Sequence, residues 1–501
     1  MTFRWTQMTA ASASPLRIAA SEVQPWELWA LAGLLGFALF VGLLDDTGAA
    51  FHATIIVPLG LASVLSAGAI HAVQREPLAL WTGLFWMRLS TAVYFGIGSL
   101  AHRFMNEIML TMLRDFFAAS DAEIARFNLL ATMCSLVILG TVAFASQLWP
   151  QRSCEPQKGD DRLMLAAAFL FGLPGFATKY LVIFPNAMGA FGENAVLPGV
   201  LTQLVWLAPV SIFLLVSWTL RHRPGWIIPL AGLVLLDAFF GFLRFSKGEA
   251  LLPILMLVLA VLQHRFTFKR AALAVVLLAA LFPVLQSVTA AGRAELIARY
   301  GTIRSASFGE RLAILSGVLA DPRDDDQAEF QGALVRIAYV HAAAPAMAMY
   351  DAGQPGNSLS YVPLVFIPRL LWPDKPLFDM GQSYTELLTG SDTSSTWMGY
   401  FAEAYWNLGW LGVPVVMIPL GLIFFATGRY TLWTLRNGEW LHFPAVFLGL
   451  YMGARMDGLI AGDVVASTLT ILLVYAVARI ATPLVCDLVG SSPAPLSRAI
   501  Q

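Results

Sequence analysis

A helix that crosses a bilayer needs about 20 mostly apolar residues, and runs of that kind recur along this chain of 501 residues. They lie at about 27–44, 51–73, 78–100, 127–149, 162–184, 198–220, 226–243, 249–264, 271–290, 410–434, 441–456 and 462–482. The eighth and eleventh are short. The surrounding composition agrees: 58% of residues are hydrophobic and 13% charged, against roughly 25% charged in a soluble domain. No soluble fold hides that much apolar surface. The expected class is an all-α, polytopic membrane bundle of about twelve helices.

Formal net charge is −1, so no global basic field exists for nucleic acid, and no nucleic-acid partner is expected. Cys134, Cys154 and Cys486 stand far apart without CxxC spacing, which excludes a disulfide scaffold and a structural zinc site. Residues 1–25 contain Arg4 and Arg17 but no continuous apolar stretch. The first apolar run is therefore expected to be a retained helix rather than a removed signal.

Lys and Arg give the orientation. With the N-terminus in the cytoplasm, one side holds Arg4, Arg17, Arg75, Arg152, Lys158, Arg162, Arg221 and Arg223. The same side holds Arg265, Lys269, Arg270, Arg429, Arg436, Arg479 and Arg498, whereas the short opposite loops at 45–50 and 185–197 hold none. Both termini are then cytoplasmic. No cysteine falls in an extracytoplasmic loop, where free thiols meet oxidant.

The organisation is three-part: an N-terminal bundle at 1–290, an extracytoplasmic loop at 291–409, and C-terminal spans with a tail at 410–501. The loop carries eight cations against thirteen acids and many aromatic and aliphatic residues, so it is expected to be ordered. Loops that long are usually functional or disordered. Stretches 308–319 and 329–350 read as helices on or beside the membrane surface, Asp324–Asp326 as a solvated turn, and 351–361 as loop.

The informative charges are cations on the outer side. Arg244 and Lys247 occupy GFLRFSKGEALLP between spans seven and eight, and Arg293 and Arg299 follow span nine. Arg369 and Lys375 lie in FIPRLLWPDKPLF, and Arg455 stands beside Asp457 between spans eleven and twelve. Charge near hydrocarbon costs several kcal/mol unless offset. A shared anion such as pyrophosphate, held by Arg244, Lys247 and Arg369 together, would offset it, because the guanidinium fork binds two oxygens at once. Snorkelling or local pairs (Arg455 with Asp457, Lys247 with Glu249) are the alternatives.

Glu403 sits among Tyr400, Phe401, Tyr405 and Trp406. An apolar setting disfavours a carboxylate's charged form and moves it toward general-base use; an interfacial aromatic belt with one acid is the alternative. Asn407, Gly409 and Gly412 read as the entry turn of span ten. No histidine pair has helical ligand spacing and HExxH is absent, so no metal site is expected. His341 reads as structural, and Asp45 and Asp46 as a solvated helix end rather than metal ligands. GxxxxGK[ST] is absent too. Arg88, Lys179 and Asp237 are the main ionisable residues inside spans, fewer than an ion-coupled transporter carries. Arg88 and Lys179 read as parts of a path or of an internal salt bridge.

Three segments carry a resemblance. RFSKGEALLP (Arg244 to Pro253), IPRLLWPDKP (Ile367 to Pro376) and TWMGYFAEAYWNLGWLG (Thr396 to Gly412) resemble, in order, boxes of the Wzy-type oligosaccharide polymerases. These are the O-antigen and capsule repeat-unit polymerases of the bacterial inner membrane. The resemblance implies a metal-independent, cofactor-free glycosyltransferase in exopolysaccharide biosynthesis. It moves a glycan from undecaprenyl pyrophosphate to a sugar hydroxyl of another lipid-linked repeat unit, on the periplasmic side, often beside a chain-length regulator. Arg244 and Arg369 would then neutralise the leaving pyrophosphate, with Lys247, Lys375, Arg293 and Arg455 assisting. Glu403 would accept or position the acceptor hydroxyl, and Trp397, Tyr400, Tyr405 and Trp406 would line the sugar path. An O-antigen ligase shares this donor chemistry. A flippase or exporter would need more polar residues within the spans, and a metal-dependent transferase would use Asp45 and Asp46.

Overall fold

The computed structural model describes residues 23–44, 46–117, 119–149, 160–192, 197–301, 306–320, 326–367, 371–372, 375, 380–390 and 396–490. Every regular element among them is helical. In chain order the principal helices are α1 (Pro25–Leu44), α2 (Asp46–Arg75), α3 (Gly83–Thr91), α4 (Glu107–Phe117), α5 (Asp121–Leu148) and α6 (Asp161–Thr178). Then come α7 (Leu207–His222), α8 (Ile227–Leu243), α9 (Lys247–His264), α10 (Phe268–Tyr300), α11 (Phe308–Ala320) and α12 (Asp326–Ile337). The last are α13 (Val340–Asp351), α14 (Met380–Thr389), α15 (Gly399–Leu408), α16 (Gly412–Asn437), α17 (Phe443–Ala454) and α18 (Ala466–Val489).

Among the described residues, nine helical segments are long and apolar enough to cross a membrane. They include α2, α5 and α7 to α10, together with segments built on α6, α16 and α18; Pro25–Val41 and Trp440–Ala454 are shorter apolar helices. The chain is a multi-pass membrane helical bundle. Proline sits inside many of these helices, at Pro58, Pro174, Pro253, Pro283, Pro419 and Pro483. Bundle neighbours make such breaks tolerable by satisfying the freed carbonyls. On α10, Leu273, Val275, Val276 and Leu277 are exposed, as expected of a face turned to lipid, where leucine and valine lose nothing.

Two large cores organise the bundle. One joins α1, α2, α3 and α5 to α13, α15 and α16. The other joins the far end of α2 to α6, α7, α9, α17 and α18. A third, small core of Leu243, Phe245, Val288, Leu296, Ala306, Ile314 and Leu315 lies under the α8–α9 turn.

Residues 291–409 depart from the surface-loop expectation in three places. α10 runs unbroken past residue 290 to Tyr300, closing on left-handed Gly301 (φ 70°). The stretch expected as one helix over 329–350 is two, α12 and α13, parted at Ala338–Tyr339. α13 is also not a surface helix: Val340 to Met347 are all buried, against α5 and α15. Its small alanines permit that close packing inside the bundle. The tenth predicted span begins earlier than expected, because α15 precedes α16 and the pair is bent at Gly409 (φ 57°).

Candidate functional site

The turn between α8 and α9 is the site's most constrained backbone. Phe245 has φ 49°, the one positive φ at a non-glycine among the described residues. A bulky residue there is strained and persists only where its surroundings hold it. Two arginines do so: Arg293 Nε donates to the Phe245 carbonyl at 2.9 Å, and Arg311 Nη1 donates to the Leu243 carbonyl at 3.3 Å. Arg311 is 1% exposed and also reaches the carbonyls of Ala306 (3.1 Å) and Ala187 (3.0 Å). Burial, with Arg244 nearby, lowers its pKa from the ordinary guanidinium value.

The turn gathers positive charge. Arg244 pairs with Glu249 at 2.5 Å. The pair expected for Glu249 is thus formed by Arg244, while Lys247 donates to Gln286 and lies 5.7 Å from the Phe282 ring centre. Arg293 and Arg336 both act on Lys247 electrostatically. The structure therefore sets Arg293 and Arg311 against the turn that carries Arg244 and Lys247; Arg369, the third member of the expected anion site, lies outside the described residues.

A second node centres on Glu403, which is 0% exposed. Its Oε1 accepts from Ser358 Oγ at 2.8 Å. Its Oε2 accepts from Trp397 Nε1 at 3.1 Å and from the Ile460 backbone N–H at 2.8 Å. Asn407 Nδ2 bonds both Ser358 Oγ and the Glu403 carbonyl at 2.8 Å. Asn407 Oδ1 in turn takes the Leu359 N–H at 3.1 Å. One carboxylate thus ties α15 to the loop before 361 and to the π turn Ile460–Val465 that leads into α18. A base waiting for a hydroxyl needs a free oxygen facing a cleft; in this arrangement Glu403 is a brace.

The aromatics expected to line a sugar path are interior as well. Trp397, Tyr400, Tyr405 and Trp406 expose 8% or less. Trp397 and Trp406 pack with Tyr384 of α14, and the Tyr405 hydroxyl joins Asp351 at 3.0 Å beside Arg126. α14 and the loop at 352–358 cover Trp397 and Trp406, whereas Tyr400 is buried against Met452 and Met456.

Arg455 forms the expected pair with Asp457, at 3.4 Å, and donates to the Tyr451 hydroxyl at 3.1 Å. Asp463 Oδ2 lies 4.0 Å away and accepts the Leu459 N–H. The Tyr339 hydroxyl hydrogen-bonds Asp457; burial first, then that carboxylate, push its phenol well above its ordinary pKa, so it remains a donor. Tyr400 N–H donates to the Met456 carbonyl at 3.2 Å, joining this turn to α15. Arg336 and Tyr339 are three residues apart at the α12–α13 break. The basic turn and the Arg455–Glu403 region therefore flank the same segment.

Lys375 is buried and donates to the Ile367 carbonyl at 2.9 Å, folding its box on itself. Arg369, Asp45, Cys154 and, of the turn expected at Asp324–Asp326, Asp324 and Asp325 lie outside the described residues, as does the side chain of Asp46; Asp326 opens α12 instead. Arg299 makes a surface pair with Glu295 at 2.6 Å. Arg88 pairs with Glu27 at 2.9 Å, and Lys179 with Asp237 at 2.7 Å, both buried. Each forms an internal salt bridge, the second of the two alternatives for these residues. No group of three metal-ligating side chains occurs among the described residues.

His341 is 2% exposed, and neither ring nitrogen has a hydrogen bond among the described residues. Its ring meets His102 edge-on at 5.2 Å. Burial first, then His102 and Arg114, lower its pKa to about 3. The unfolded chain, with an imidazole near ~6.5, then binds more protons on acidification. Stability is complete above that value and declines as pH falls from there toward about 3. His341→Phe is expected to flatten this acid slope, read as the difference in melting temperature between about pH 7 and about pH 5.

Sequence reasoning missed Arg336, Arg311, Tyr339 and Ser358. Arg336 and Arg311 carried a signal, being charges in otherwise apolar helical stretches of the long loop; Ser358 carried none. No protein-family model matches this chain, and no curated protein or solved structure matches it either.

Proposed function

We propose that the chain is a repeat-unit polymerase of the bacterial inner membrane, with twelve spans, cytoplasmic termini and a periplasmic site. The observation that carries this reading is the basic turn. Arg293 and Arg311 hold the strained backbone of the turn that carries Arg244 and Lys247, and a lipid-linked diphosphate would present its charge to that turn. In the reaction, the bond between the donor sugar's anomeric carbon and the diphosphate oxygen breaks, and the electron pair stays with undecaprenyl pyrophosphate. A hydroxyl of the second repeat unit bonds that carbon and gives its proton to a base. Fixed cations that meet the charge developing on the leaving oxygen are often the largest catalytic contribution. Arg244, Lys247 and Arg293 take that task here, with Arg369 and Lys375 from the following box. Glu403 serves as a positioning residue. Arg455 orients Asp457 and Asp463 at the neighbouring turn.

The test is turnover by the purified full chain of lipid-linked repeat units in detergent. Products longer by whole repeats, with release of undecaprenyl pyrophosphate, are expected. Transfer only to a lipid A core acceptor would point to a ligase, and movement across vesicles without bond formation to a flippase.

A further inference from the structure

Arg126 and Asp351 form an ion pair that neither the basic turn nor the Glu403 node uses. Arg126 lies early in α5, and Asp351 closes α13. The Tyr405 hydroxyl joins them: it accepts from Arg126 Nη2 at 2.5 Å and donates to Asp351 Oδ1 at 3.0 Å. The Arg126 guanidinium lies 5.4 Å from the Tyr405 ring centre and 6.0 Å from that of Trp410. Tyr350 and Trp410 both meet the Tyr405 ring edge-on, at 5.4 and 5.1 Å. Yet the cluster is open. The Arg126 and Asp351 side chains are 40% and 35% exposed, and Trp410 is 46% exposed.

The cluster sits where two spans begin. α5 and the segment containing α16 are each long and apolar enough to cross a membrane, and they pack together. Their close approach shows at Gly421, where a Cβ would stand 2.8 Å from Thr141 Cβ. Beyond Trp410 the chain exposes Leu411, Val415, Ile418 and Leu422, a stripe at helical spacing. Arg126, Asp351 and Trp410 therefore lie at headgroup depth, with an apolar track leading into the hydrocarbon.

A lone arginine at that depth would need only a lipid phosphate. The carboxylate beside it changes the match. An anionic headgroup gains from Arg126 and loses to Asp351, and an exposed ion pair contributes little to stability by itself. A zwitterion suits both charges. Its phosphate takes remaining guanidinium N–H groups, and its ammonium lies on Asp351 against an aromatic face. An ammonium that bears hydrogens also donates to the carboxylate; a trimethylated one has nothing to donate.

We propose that Arg126, Asp351 and Trp410 form a binding site for a zwitterionic phospholipid with a primary ammonium, the chemistry of phosphatidylethanolamine, and that one acyl chain follows the stripe at 411–422. The site is independent of the polymerase reading. Its lipid would brace α5, α13 and the turn between α15 and α16, because the three residues come from those elements.

The experiment is native mass spectrometry of the purified full chain in detergent, titrated with dioleoyl lipids. Phosphatidylethanolamine is expected to bind about tenfold more tightly than phosphatidylcholine or phosphatidylglycerol and to raise the melting temperature more. Its N-methyl and N,N-dimethyl derivatives should fall between it and phosphatidylcholine, a series that needs no variant. Asp351→Asn keeps the shape of an exposed side chain and is expected to melt like the wild type without lipid. It should lose most of the preference and bind phosphatidylglycerol more tightly, since Arg126 no longer faces a carboxylate. Asp351→Glu should keep the preference, as should Arg479→Ala at an exposed arginine of α18. Equal affinity across the methylation series overturns the site, and so does wild-type binding that favours phosphatidylglycerol. A phosphatidylethanolamine preference retained by Asp351→Asn overturns it too. None of these outcomes alters the polymerase reading.

Discussion

Glu403→Ala is expected to abolish polymer formation and to destabilise the protein by several kcal/mol. The carboxylate receives three donors, from Ser358, Trp397 and the Ile460 backbone. Truncation leaves all three buried without an acceptor, at about 1–3 kcal/mol each. Even with partial relaxation the loss is a large share of the ~5–15 kcal/mol that holds a typical domain. The connection between α15, the loop at Ser358 and the π turn at Ile460 is lost with it. Abundance in membranes and thermal unfolding in detergent read the stability; glycan chain length reads the function.

Glu403→Gln separates the two roles this residue could have. The glutamine oxygen can take the position that accepts from Trp397 and Ile460. Its amide then faces Ser358 Oγ, which already accepts from Asn407 Nδ2 at 2.8 Å and has lone pairs to accept again. The expected outcome is a mild loss, about 1 kcal/mol, with polymer largely retained. A general base could not survive that change, because an amide takes no proton. Polymer lost in Glu403→Gln at wild-type stability would restore Glu403 as the base.

The spans were legible because hydrocarbon imposes one demand, about 20 apolar residues, and that demand is local. Contacts between distant segments were not. Trp397, Tyr400, Tyr405 and Trp406 read as a sugar path or an interfacial belt; α14 and residues 352–358 cover the two tryptophans and the turn at Met452 and Met456 covers Tyr400, and nothing in their own segment announces that cover. α13 read as a surface helix because its neighbours in sequence are polar, whereas its burial depends on α5 and α15. The pairing of Arg244 with Lys247 was legible from adjacency. The part played by Arg311 was not, since its partner Leu243 is 68 residues away. Nor does RFSK contain a glycine to announce positive φ. Phe245 adopts it because its ring is trapped in the small core at Leu243, Val288 and Leu296.

That trapped ring makes Gly292→Ala the sharpest probe of the turn. In an ordinary helix the change stabilises by about 1 kcal/mol. Here a Cβ at 292 would stand 2.0 Å from Phe245 Cε1 and 2.1 Å from Cδ1. The ring is fully buried, so it moves only by disturbing its core, at about 1–3 kcal/mol. Moving it drags the Phe245 carbonyl off Arg293 Nε, and the turn that carries Arg244 and Lys247 shifts with it. Gly292→Ala is therefore expected to lose both polymer and pyrophosphate affinity although every cation is retained. Phe245→Gly removes the ring and adopts φ 49° without strain, at a cavity cost of about 3–5 kcal/mol. In the double variant Gly292→Ala/Phe245→Gly the new methyl occupies part of that cavity. The two losses should then fall short of their sum, and pyrophosphate affinity should return to the level of Phe245→Gly alone. Strict additivity in this double-mutant cycle would show that the ring contact does not set the turn.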